Sequence, residues 1–163
     1  MGKTLTLLLG AALAAALLGQ AVSARTGTPV VLQGTLNFLE PEEEALTVVE
    51  DPAGVLCPNG VGQAARSAGD GSRAPHPRGQ SDRFVGTVLL LVTCGGEGWG
   101  ASDTYTLRVT VKGTGPTTAE GTWSIVEATG RLSGLHGGGE YRGVIDPFPV
   151  VTNTYTGTVQ MAP

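Results

Sequence analysis

From Val30 onward the chain alternates. Leu32, Gly34, Leu36 and Phe38 fall on one side and Gln33, Thr35 and Asn37 on the other, a period of two that predicts a strand over 30–39 with one wet face. Glu40, Pro41, Glu42, Glu43 and Glu44 interrupt it before a short apolar run, Leu46–Val49. The pair reads as a hairpin with an acidic connection. Like charges crowded into a turn require water, so these carboxylates are expected to be solvated, and their spacing does not fit a calcium-wrapping loop.

Between 51 and 83 the periodicity disappears and Gly, Pro, Ser, Ala, Asp and Arg dominate around the island Val55, Leu56 and Cys57. A long loop is expected there, with residues 62–82 mobile and open to proteolysis at Arg66, Arg73 or Arg78. Phe84–Thr93 is apolar on both sides, which predicts a central, covered strand. After a glycine turn over 94–100, Asp103–Lys112 places Tyr105, Leu107, Val109 and Val111 opposite Thr104, Thr106, Arg108, Thr110 and Lys112. Gly121–Glu127 alternates around Trp123 and Ile125. Gly130–Gly139 reads as a glycine-punctuated turn, Glu140–Ile145 as a short strand broken by Pro147 and Pro149, and Asn153–Met161 as a last strand carrying Tyr155 and Val159.

Seven or eight strands joined by short turns, with no useful helical period beyond the N-terminus, predict an all-β sandwich or a closed antiparallel barrel. Glycines inside alternating strands (Gly34, Gly86, Gly143, Gly157) favour the barrel, because a strongly bent sheet accommodates them. The β-sandwich of immunoglobulin type is the alternative, but no tryptophan lies between Cys57 and Cys94.

The N-terminus changes the picture. Lys3 precedes the apolar run Leu5–Leu18, and Val22-Ser23-Ala24 offers a signal-peptidase site, so residues 1–24 read as a secretory signal and 25–163 as one domain. The run is shorter than the roughly 20 residues of a spanning helix, so no membrane anchor is expected after cleavage. Export to an oxidising compartment lets Cys57 and Cys94 pair as one disulfide. Two buried free thiols or a catalytic cysteine are the alternatives, and the latter lacks an evident histidine partner.

Composition then narrows the chemistry. The 163 residues carry 10 Lys+Arg against 14 Asp+Glu. This balance leaves no basic field for nucleic acid. Two cysteines and two histidines cannot complete a structural zinc set. No cofactor motif stands out. Gly96–Ala101 fits a loose dinucleotide pattern, but a strand follows it and not a helix. No Gly-x-Ser-x-Gly elbow exists. His76 and His136 lie in loop-like sequence, and Asp103, Glu120, Glu127 and Glu140 near strand ends could pair at a barrel mouth. Catalytic residues are therefore left unassigned. The aromatic residues on the apolar faces, Tyr105, Trp123 and Tyr155, together with Tyr141, are the candidate ligand-binding set, with plain core packing as the other reading.

The run Gly121–Gly143, with its Gly130-Arg131-Leu132-Ser133-Gly134-Leu135-His136-Gly137 turn, followed by Tyr155-Thr156-Gly157-Thr158-Val159, resembles secreted bacterial proteins of the allene oxide cyclase barrel-like group, distant kin of the dirigent proteins. Cys57-Pro58-Asn59-Gly60 and Thr93–Gly98 resemble that group's cysteine pair. Leu132 stands where the turn more often has an aromatic residue. The resemblance implies an eight-stranded, calycin-like barrel, often a homodimer or homotrimer. Its chemistry does not carry over residue by residue. The expectation is a secreted barrel that binds an apolar small molecule without transforming it, or serves the cell envelope structurally. The alternatives are an isomerase or cyclase of the allene oxide cyclase type and a secreted inhibitor.

Overall fold

The computed structural model describes residues 27–37, 40–66 and 85–163. Eight strands run in sequence: β1 (Thr28–Asn37), β2 (Glu40–Glu50), β3 (Asn59–Arg66), β4 (Val85–Gly95), β5 (Thr104–Gly113), β6 (Thr118–Ala128), β7 (Leu135–Ile145) and β8 (Val150–Met161). Each pairs antiparallel with the next, and β8 returns to β1, so the sheet closes into a barrel. Alternation thus does what the sequence demands of it. Val30, Leu32, Leu46, Leu90, Val92, Tyr105, Leu107, Val109, Trp123, Tyr155 and Val159 point inward and form one core, while the threonine-rich positions between them face out.

Four sequence expectations are corrected. Glu40–Glu44 is not a connecting turn but the first half of β2, and of its carboxylates Glu43 is exposed as expected whereas Glu44 is buried. The 51–83 loop contains a strand, β3, so residues 62–66 are not loop. Residues 135–139 belong to β7 rather than to a turn, which places His136 on an exposed strand position. β4 is not covered on both sides, because in a closed barrel its outward face meets the surface, and Leu91 is exposed there. The signal region 1–24, residues 67–82 with His76, Arg73 and Arg78, and the residues Phe38, Leu39 and Phe84 lie outside the described residues.

The two ends of the barrel differ. At one, Cys57 and Cys94 form a disulfide with Cα atoms 5.6 Å apart, tying the β2–β3 loop to β4. Leu56, Cys57 and Leu132 of the loops fold in and are buried. The Asp103 carboxylate accepts the backbone N–H groups of Gly100 and Arg131 at 2.9 and 2.8 Å, and the Arg131 guanidinium lies 4.4 Å above the Trp99 ring. Those two N–H groups hold the Asp103 acid below its ordinary value. At the other end stand the turn 114–117, the turn 146–149 and the strand ends Asn37, Glu40, Arg66 and Val85. There the inward-facing Leu36, Ala64, Val88, Val111, Ala119 and Ile145 are only partly buried, giving the interior an aliphatic rim.

Candidate functional site

Below that rim a polar network lies inside the hydrocarbon. Glu44 sits on β2 opposite Leu36 of β1 and Gly62 of β3, in phase with the inward-facing Leu46. It is 4% exposed. The strand period fixes its direction: two residues before Leu46, it must share Leu46's face, whatever its charge. Asn153 and Tyr155 on β8 face the same space for the same reason, being in step with Val151 and Val159.

The hydrogen bonds form a directed chain. The Tyr141 hydroxyl donates to Asn153 Oδ1 at 2.7 Å, which turns the amide nitrogen towards Glu44, and Asn153 Nδ2 donates to Glu44 Oε1 at 3.0 Å. The Tyr155 hydroxyl bridges both carboxylate oxygens at 3.0 and 3.1 Å. The Tyr141 and Tyr155 rings pack against each other, centroids 5.4 Å apart. Two glycines make room for this. A Cβ on Gly34 would strike the Glu44 carboxylate, and one on Gly143 would come within 2.5 Å of the Tyr141 hydroxyl and 2.9 Å of Asn153 Oδ1. Gly34 is the gap through which a β2 side chain crosses β1 to reach β8.

Electrostatics follow from the burial. Loss of water pushes the Glu44 acid above its ordinary value, against the opposing pull of the Asn153 and Tyr155 hydrogen bonds. Burial, then the Glu44 charge, pushes the phenols of Tyr105, Tyr141 and Tyr155 up. The result is a carboxyl group poised to hold or exchange a proton, ringed by neutral phenols in an apolar wall.

The four aromatic candidates are all interior. Tyr141 and Tyr155 belong to the network. Tyr105 is 2% exposed on β5 and lies within electrostatic reach of Glu44. Trp123 donates its indole N–H to the Thr156 carbonyl at 3.2 Å. Of the carboxylates singled out at strand ends, Glu120, Glu127 and Glu140 are exposed and Asp103 is engaged at the disulfide end. His136 is exposed, its Nδ1 3.0 Å from the Gly134 carbonyl oxygen. Sequence reasoning missed Glu44 and Asn153. Phase was the available signal, since both occupy positions in step with apolar neighbours.

Compared with known protein families, curated proteins and solved structures, the chain matches none.

Proposed function

We propose that the protein is an exported barrel that binds an apolar small molecule in the half of its interior lined by the aliphatic rim and floored by Glu44. The observation that carries this reading is the buried Glu44–Asn153–Tyr141–Tyr155 network beneath partly exposed, inward-facing aliphatic residues. A polar group kept inside hydrocarbon is costly and contributes little to packing, but it orients a ligand. The disulfide supports an oxidising, extracytoplasmic setting. Among the described residues no helix is long and apolar enough to cross a membrane.

A second reading, isomerase or cyclase chemistry in the manner of the allene oxide cyclase group, is favoured by Glu44 itself, because a buried acid with a raised pKa is suited to proton transfer. Assembly into a homodimer or homotrimer rests on the exposed Val61 and Leu91 of the adjacent strands β3 and β4.

Fluorescence separates the readings. With Trp99 replaced by Phe, emission comes from Trp123 inside the barrel, and titration with hydrophobic ligands should saturate. Product analysis after long incubation should return the ligand unchanged. Turnover that is lost in Glu44→Gln would establish the catalytic reading instead, and the absence of saturable binding would reject both.

A further inference from the structure

We draw no further inference here: the strongest candidate, the outward patch on β3 and β4 where Val61 and Leu91 are exposed, carries nothing beyond the assembly already proposed, because nothing in the structure shows what covers it.

Discussion

Gly34 and Glu44 depend on each other. The carboxylate occupies the space that a β-carbon on residue 34 would fill, so Gly34→Ala must push Glu44 off its partners or bend β1. We expect a loss of about 1–3 kcal/mol by denaturant titration. Glu44→Ala substituted on top of Gly34→Ala should recover part of it, since the clash is then gone. The titration of Glu44 gives a second expectation. Its folded acid lies above the ordinary 4.5, so the folded state prefers the protonated form. Below about pH 4.5 both states are protonated and stability is unaffected by this group. As pH rises from there the unfolded chain ionises first, and stability falls until the folded carboxyl also ionises. Asp103 acts in the opposite sense: held below its ordinary 3.8, it contributes stability above that pH and loses it as pH falls through the folded value. Melting temperature should therefore rise on acidification from neutral towards pH 4.5 and drop at lower pH. Glu44→Gln should flatten the upper limb and Asp103→Asn the lower one.

Strands explain what alternation revealed and what it hid. β1, β5, β6 and β8 were legible because large apolar residues point in and threonines point out. β3 was not, because its inward positions are Gly60, Gly62 and Ala64 while Val61 faces water, the reverse of the usual pattern. The inversion has a cause: Leu46 and Leu90 from the flanking strands fill the space above Gly62, where a Cβ would lie 2.8 Å from each. The paired bulky residues Val48-Val49 and Ile125-Val126 also break the period. In both cases the register slips by one residue, at Val31/Leu32 and at Thr106/Leu107, and the extra valine is left at the surface. Glu44 was hidden by its chemistry, since four neighbouring acidic or proline residues outweighed its phase with Leu46. In β7 and β8 the glycines mark backbone crowding. A Cβ on Gly139 would meet the Thr156 carbonyl, and one on Gly157 the Gly138 carbonyl. Backbone cannot yield as a side chain can, so Gly139→Ala should cost about 3 kcal/mol, more than Gly34→Ala, with the loss read by thermal denaturation.

For the molecule as a whole, the disulfide and the closure of the ring set stability and order of assembly. Cys57 and Cys94 are 37 residues apart, and removing the cross-link should cost about 4 kcal/mol in the chain-entropy account, so Cys94→Ala should lower the melting temperature by roughly 10–20 °C. The proposed export is checked by intact mass, which should show a mature chain that begins at Arg25. Ring closure has a further consequence. Glu44 lies on the second strand and its partners Asn153 and Tyr155 on the eighth, so its hydrogen bonds arise only when the last strand docks between the seventh and the first. Until that moment the nascent sheet has two free edges and an acid without its donors. Completion of the buried network and sealing of the sheet are therefore one kinetic event, and it is the one with the longest loop to close. A circular permutant that joins the neighbouring ends of β8 and β1 and opens the chain in the 114–117 turn makes that pairing local. It should refold faster than the natural order while reaching the same barrel, and Tyr155 should become protected early instead of last.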